Sequence, residues 1–390
     1  MLVISIRGPP NSDFVLGYPG IDASWPRIVG IVEVRSNNGR PFKLRSLDLQ
    51  LYRTETIYVQ TGKLGISQTK RQESYPVGKK VELFKPGQIQ SSSATFLSLE
   101  LRFVYTLPFG ENQLSSSICI PKVAESIYRL YATAVEDSGS KDDQRAYAPV
   151  TIVRYDTMSS FLEFQRAKTL QVESIDSIVV QRVTLQRTSF GPGDSIVMVV
   201  SILPNLDWKY KSKKVKVQSI TLKVEEVIVF SLRGDDPASR SRTLLGEKIA
   251  VNGEKLGEDG YSVEITTSFP VSTSRGKDGV VITEENGYPN ILTPAFTSSA
   301  SLYSITYFIV VGSKLSNCKD IEMRIPITVT PFDSVICDAI LEPLNESIKV
   351  ASTADDRQPN PIFVTASDAM AVNKMGILVK PNGKRGIYIE

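Results

Sequence analysis

The sequence predicts an all-β chain of two consecutive antiparallel β-sandwiches followed by a C-terminal tail. Three observations carry this reading. Apolar residues recur with a period of two, as strands with one buried face require. Turn-forming residues separate the runs, at Asn37-Asn38-Gly39, Lys85-Pro86-Gly87, Gly191-Pro192-Gly193-Asp194, Gly234-Asp235-Asp236-Pro237 and Glu285-Asn286-Gly287. Helical spacing is almost missing, which favours sandwiches over mixed folds. With 390 residues, 41% of them hydrophobic, the chain is long enough for two domains of about 150 residues each.

The first sandwich is read from strands at 27–35, 43–53, 95–107 and 127–135, closing near Pro149 to Tyr155. In 43–53, Leu47, Leu49 and Leu51 fall on one face, with Asp48 and Gln50 on the other. The second sandwich is read from 178–186, 195–203, 219–225, 301–311 and 323–329. Ile220, Leu222 and Val224 alternate with Thr221, Lys223 and Glu225. Met323, Ile325, Ile327 and Val329 alternate with Arg324, Pro326 and Thr328, so that strand is expected at an edge or a bulge, because proline cannot donate a ladder bond. One stretch, 157–169, has helical spacing, with Phe161, Phe164 and Lys168 on one face, where a linker is also expected. The division predicted is 1–160 for the N-terminal sandwich, 161–335 for the C-terminal sandwich and 336–390 for a tail, partly ordered or loosely packed.

The chain has no histidine. A histidine-based triad, a Cys-His pair, an imidazole zinc site and a histidine pH switch are therefore all excluded. Only carboxylates, Lys, Tyr, Ser and Cys remain for chemistry, so an enzyme starts at a disadvantage; no cofactor or metal is expected. The doublets Asp142-Asp143, Asp235-Asp236 and Asp355-Asp356 lack calcium-loop spacing, and neither common glycine-rich phosphate loop occurs. A net charge of +3 is too small for a dedicated nucleic-acid binder, and no nucleic acid is expected as partner. Cys119, Cys318 and Cys337 are odd in number and far apart, which reads as buried, reduced thiols. Met1 to Ile6 is cut short by Arg7 and Gly8-Pro9-Pro10, too short for a signal-peptide core. The longest apolar runs fall short of the ~20 residues that span a bilayer. A soluble intracellular chain is the expectation.

Two basic regions are the candidate binding sites. In Trp208-Lys209-Tyr210-Lys211-Ser212-Lys213-Lys214-Val215-Lys216, five lysines are interleaved with aromatics between two strands. That pattern suits an anionic lipid surface or the acidic tail of a partner. The competing reading is a solvated connection whose lysines guard a sheet edge, since a charge run is usually no more than a solvated face. The secondary patch is Lys70, Arg71, Lys79, Lys80 and Lys85, with Lys63 nearby, and its competing reading is a long mobile loop.

Taken in order, these strands resemble the arrestin family, and in detail the fungal α-arrestins, the arrestin-related trafficking adaptors. The first half contributes Arg27 to Val34, Lys43 to Leu51, Leu101-Arg102-Phe103-Val104-Tyr105-Thr106-Leu107-Pro108, the cluster Ser115 to Ser117, and Ser126 to Val135. The second contributes Phe190-Gly191-Pro192-Gly193-Asp194 with Ile196 to Ile202, then Val217 to Val227, Ser304 to Val311, and Met323-Arg324-Ile325-Pro326-Ile327-Thr328-Val329. The resemblance covers roughly residues 25–332.

The resemblance implies a non-enzymatic adaptor of arrestin-type sandwiches, cytoplasmic and peripherally associated with the plasma membrane or endosomes. Its partners would be the cytoplasmic tails of membrane transporters or receptors, an anionic membrane surface, and a HECT-type ubiquitin ligase, so that cargo enters ubiquitin-dependent endocytosis or sorting. The family recruits its ligase through P-P-x-Y or L-P-x-Y motifs, and neither occurs here: Pro9-Pro10 is followed by Asn11-Ser12, and Leu107-Pro108 by Phe109-Gly110. The alternatives are a retromer-type coat subunit of the same fold and, less favoured, a carbohydrate-active β-sandwich enzyme with two carboxylates about 5–10 Å apart in a cleft. An extracellular adhesion module is opposed by the odd cysteine count.

Overall fold

The computed structural model describes residues 2–8, 14–36, 40–61, 67–85, 95–110, 114–137, 143–161, 163–231, 238–271, 295–353, 362–365, 377–379 and 385–387. Outside them lie the predicted turns around Asn38, Gly87, Asp235 and Asn286, as well as Lys63, Asp142 and Asp355-Asp356.

The first half holds β1 (Leu2–Arg7), β2 (Val15–Leu16), β3 (Arg27–Ser36), β4 (Leu44–Thr61), β5 (Ser67–Phe84), β6 (Phe96–Thr106), β7 (Ile118–Ile120), β8 (Ala124–Glu136) and β9 (Gln144–Val150). The second holds β10 (Lys168–Glu173), β11 (Val179–Leu185), β12 (Ser189–Phe190), β13 (Ser195–Pro204), the short helix α1 (Lys209–Ser212), β14 (Lys216–Phe230) and β15 (Ala238–Lys255). It continues through β16 (Tyr261–Ser268), β17 (Ser298–Ser299), β18 (Tyr303–Ser316) and β19 (Ile321–Val329). Helix α2 (Ser334–Thr353) follows, then β20 (Ile362–Thr365), β21 (Ile377–Val379) and β22 (Arg385–Ile387).

These strands build two sheets in each half, and β21 and β22 pair only with each other. The first half has the order β1-β3-β6-β20, with β2 on β3, and β5-β4-β8-β7, with β9 on β8. The second has β10-β11-β13-β16 and β12-β19-β18-β14-β15, with β17 on β18. Every pairing is antiparallel except β12 with β19. Alternation explains why: Leu47, Leu49 and Leu51 of β4 are buried against Leu99, Leu101 and Phe103 of β6 in one apolar core. In β19, the residues from Ile321 to Val329 alternate buried and outward. Pro326 is tolerated because β12 covers only Thr328 and Val329, which leaves β19 an edge strand at the proline.

Three sequence expectations are corrected. Among the described residues of 157–169 there is no helix. A chain of turns, Met158 N–H to Tyr155 O, Phe161 to Met158 and Phe164 to Phe161, reproduces the helical spacing without continuing it. The secondary basic patch, read alternatively as a mobile loop, belongs mostly to β5, an 18-residue edge strand. Pro76 and Gly78 look like turn residues, but an edge strand accommodates both. The three cysteines are free, yet only Cys337 is buried; Cys119 is exposed.

Residues 334–353 form a helix, although they show no two-residue alternation. Ile336, Ile340, Leu344 and Ile348 recur every four residues, the stripe of a helix packing one face. That face meets Ile21, Tyr18, Val153, Tyr155, Met158 and Phe161 in a third apolar cluster, so α2 straps the first half and the linker to the end of β19. Tyr155 stacks on Phe332 with centroids 5.0 Å apart.

The turn before β13 anchors the strap. Asp194 accepts from the Gly191 N–H at 2.8 Å and the Ser334 N–H at 3.0 Å, and Arg187 pairs with it at 3.3 Å. A Cβ on Gly191 would lie 1.8 Å from the Phe332 carbonyl oxygen, an overlap with backbone that only glycine avoids. Gly191→Ala should cost at least about 1–3 kcal/mol of stability. Gly246→Ala, which meets nothing within 4 Å, should be close to neutral. Denaturant unfolding of the two variants checks this.

Candidate functional site

The lysine-rich segment caps one end of the second sandwich. Three connections are hydrogen-bonded together there. The Asn205 N–H donates to Ile178 O at 3.1 Å, its amide donates to Ser177 O at 2.8 Å, and the Asn317 amide donates to Lys214 O at 2.8 Å. Asp176 receives the Lys319 N–H at 3.0 Å and the Cys318 thiol at 3.2 Å. Slight desolvation raises the Asp176 pKa, but hydrogen bonds from Ser174, Cys318 and the backbone outweigh it and bring it down to about 2. Desolvation, reinforced by that carboxylate, pushes Cys318 up to about 11 against opposing hydrogen bonds to Ser174 and Lys319. Buried Val215 and Ser212 fix the base of the segment.

Upon this base stands an apolar crest. Ile175 is 91% exposed, Leu206 and Tyr210 each 79%, and Trp208 42%. The cations line its flank: Lys211 Nζ sits 4.2 Å over the Trp208 ring and Lys214 Nζ 4.7 Å over Tyr210. Lys213 pairs with Glu258 at 3.0 Å, and Lys216 opens β14 opposite Lys255. Lys209 begins α1. The sequence exposed the lysines and aromatics but not Ile175 or Leu206, because only the fold brings residue 175 to this end.

The secondary patch is largely neutralised. Arg71 pairs with Glu73 at 2.6 Å, Lys80 with Asp48 at 2.7 Å and Lys85 with Glu82 at 2.7 Å. Lys70 and Lys79 are exposed along β5.

A charged pair that sequence reasoning missed lies buried between the halves. Arg53 and Glu55 occupy the inward phase of β4, between Leu51 and Ile57, where alternation calls for apolar residues. Arg53 Nε lies 2.7 Å from Glu55 Oε1, an ion pair by distance whose N–H is not aligned as a hydrogen bond. Arg53 also donates to Ser301 Oγ at 3.0 Å and to Ser115 Oγ at 3.4 Å. Glu55 accepts the N–H groups of Ser301 at 3.2 Å and Leu302 at 2.7 Å. Beside them the Ser126 and Tyr303 hydroxyls meet at 2.7 Å. Apolar packing continues across this junction, since Ile57, Val59, Ile118, Ile120 and Ala124 join the core of the second half.

A cavity of about 390 Å³ opens beside the linker, lined among others by Pro26, Pro108, Phe109, Arg154, Asp156 and Glu163. Its Asp156 is held by the Arg154 guanidinium, with Nε donating at 3.0 Å. The described residues contain no group of three or more metal-binding side chains, and no described helix is long and apolar enough to cross a membrane.

Residues 176–333 match the family model for arrestin (or S-antigen), C-terminal domain. That span begins in the turn carrying Asp176 and ends at the foot of α2, so the lysine-rich segment and the Asp194 anchor both lie within it, with Ile175 just before its start. The match supports an arrestin-family assignment. No curated protein matches the chain.

Removing one partner of the buried pair strands the other. Glu55→Ala should destabilise by about 3–5 kcal/mol, and adding Arg53→Met should recover part of the loss, as denaturant unfolding would show. Tyr75, whose ring lies under Arg53, gives a pH signature. Burial first, then its hydrogen bond to Glu73 and the charges of Glu55 and Glu73, raise its pKa to about 12. A tyrosine ionising near 10 unfolded and about 12 folded contributes stability below pH 10 that is lost as pH rises to 12. Tyr75→Phe should flatten the fall in stability across that window. An unchanged slope would remove Tyr75 from the linkage.

Proposed function

We propose that the chain is an arrestin-like adaptor that rests the crest of its second half on an anionic membrane. There it links membrane cargo, transporters or receptors held by their cytoplasmic tails, to ubiquitin-dependent endocytosis or sorting. The observation carrying this reading is the crest itself, whose Leu206, Trp208 and Tyr210 lie inside the span that matches the arrestin C-terminal domain, with Ile175 one residue before it. Ile175, Leu206, Trp208 and Tyr210 are exposed together, with Lys211 and Lys214 stacked along them. Aromatic rings with an apolar body and a polar tip favour the bilayer interface. Flanking lysines add about 1 kcal/mol each near an anionic leaflet.

Scaffolding needs surfaces rather than acid–base groups, in keeping with a chain that has no histidine. A HECT-type ligase is the partner this reading calls for. Without a P-P-x-Y or L-P-x-Y motif in these 390 residues, the ligase would be held by another surface or through a second adaptor. The sites proposed are Lys209, Lys211, Lys213, Lys214 and Lys216, with Lys70 and Lys79 the secondary-patch cations left exposed along β5.

Replacing the five lysines of the segment with Gln should weaken flotation on phosphatidylserine-containing vesicles at least ten-fold and leave the melting temperature nearly unchanged. Equal flotation would remove the crest from the mechanism. Affinity capture from the native cell extract tests the cargo step: a HECT ligase with transporters fits the adaptor, whereas coat subunits without a ligase would replace it by the retromer-type reading.

A further inference from the structure

The outer face of the first half carries a second surface built on different chemistry. Strands β8 and β9 each present an Arg-x-Tyr triplet, Arg129-Leu130-Tyr131 and Arg145-Ala146-Tyr147. Their antiparallel register sets Tyr131 directly opposite Tyr147, with Thr133 opposite Arg145 and Arg129 opposite Pro149. Each arginine therefore reaches diagonally onto the tyrosine of the other strand. The Arg129 guanidinium lies 5.2 Å over Tyr147 and that of Arg145 lies 5.1 Å over Tyr131. The two rings have centroids 5.5 Å apart, and Tyr52 of β4 meets Tyr131 edge-on at 5.6 Å. Leu130 and Ala132 turn the other way, into the core.

Cross-strand stacking alone would account for a firm β8–β9 pairing. It does not account for two cations lacking a counter-charge. Among the described residues neither Arg129 nor Arg145 enters an ion pair, and the one polar contact of Arg145 is to the Thr133 hydroxyl at 3.4 Å. Asp48, in the same row as Thr133 and Arg145, is already paired with Lys80. Tyr147 is 57% exposed, in a plate made of the residue types that dominate protein–protein hot spots.

We infer that this plate docks an acidic segment of a protein partner. Its carboxylates meet the Arg129 and Arg145 guanidinium forks, which suit planar, bidentate acceptors, while the chain of the partner lies across Tyr52, Tyr131 and Tyr147. The inference is independent of the membrane reading, which rests on lysines in the other half.

Fluorescence anisotropy with the full chain tests it, using a labelled ten-residue peptide of alternating Glu and Phe and its Gln-for-Glu counterpart. The Glu peptide should bind at least ten-fold more tightly than the Gln peptide. Arg129→Gln with Arg145→Gln should lose at least ten-fold, as should Tyr147→Ser, while the five-lysine variant keeps wild-type affinity. Should the double Gln variant fail to fold, Arg129→Lys with Arg145→Lys keeps the charge, loses the forks and should bind several-fold more weakly. Absence of binding, equal affinity in the arginine variants, or an equal loss in the five-lysine variant would each overturn the inference. Loss of vesicle flotation on changing the arginines, with peptide binding intact, would reassign the plate to lipid.

Discussion

Burial of Arg53 and Glu55 between the two halves is the constraint on which the rest of the arrangement depends. A charge pair taken out of water is costly unless each remaining donor and acceptor finds a partner. Here Ser115 of the same half accepts from Arg53, and the other partners come from the opposite half: the Ser301 hydroxyl for Arg53 and two consecutive backbone N–H groups for Glu55. Sliding the halves apart would leave an arginine and a carboxylate facing an apolar rim of Ile57, Ile118 and Ile120. The pair thus selects one relative placement rather than adding generic adhesion.

Helix α2 reinforces that placement from the other side of the linker. Its apolar stripe covers residues contributed by the first half and by the linker, and its first turn hangs from Asp194, a residue of the second. Polar selection at one point and apolar coverage at another are complementary. The ion pair resists mispairing, while the helix removes apolar surface from water. The two outer surfaces are therefore carried by one braced body, the basic crest on the second half and the tyrosine–arginine plate on the first.

Much of this was legible in the sequence. Alternation located the strands with one clearly buried face, as Leu47, Leu49 and Leu51 or Met323 to Val329 record directly, but left the long edge strands β5 and β15 unread. The same criterion hid α2, whose four-residue spacing has no two-residue signal, and made a helix of 157–169, where successive turns mimic helical contacts. The Arg53–Glu55 pair went unread, although charge on an inward phase is a local violation of the pattern, of the kind that marks special sites. Ile175 at the crest had no such mark, because exposure created by folding leaves no trace in a window of neighbours. The basic segment 70–85 misled in the opposite sense: its charges are real, but Glu73 and Glu82, neighbours in the sequence itself, and Asp48, brought alongside by the β4–β5 pairing, neutralise most of them.

The two kinds of cation are distributed as their chemistry dictates. Lysine is a compact, strongly hydrated charge on a flexible stem, suited to a diffuse anionic surface whose head groups have no fixed geometry. Five of them accompany the crest, where apolar side chains need only a fluid interface to enter. Arginine is planar and stacks, and a stacked guanidinium loses little further freedom on meeting a carboxylate. On β8 and β9 the tyrosines hold both forks in position in the free protein. Preorganisation of that kind has value only for a ligand with its own geometry, as a folded or extended peptide has and a bilayer lacks. Lysines gathered around α1 and arginines clamped on β8 and β9 are thus two different arrangements of positive charge on one body, and the two proposed partners differ in the same way.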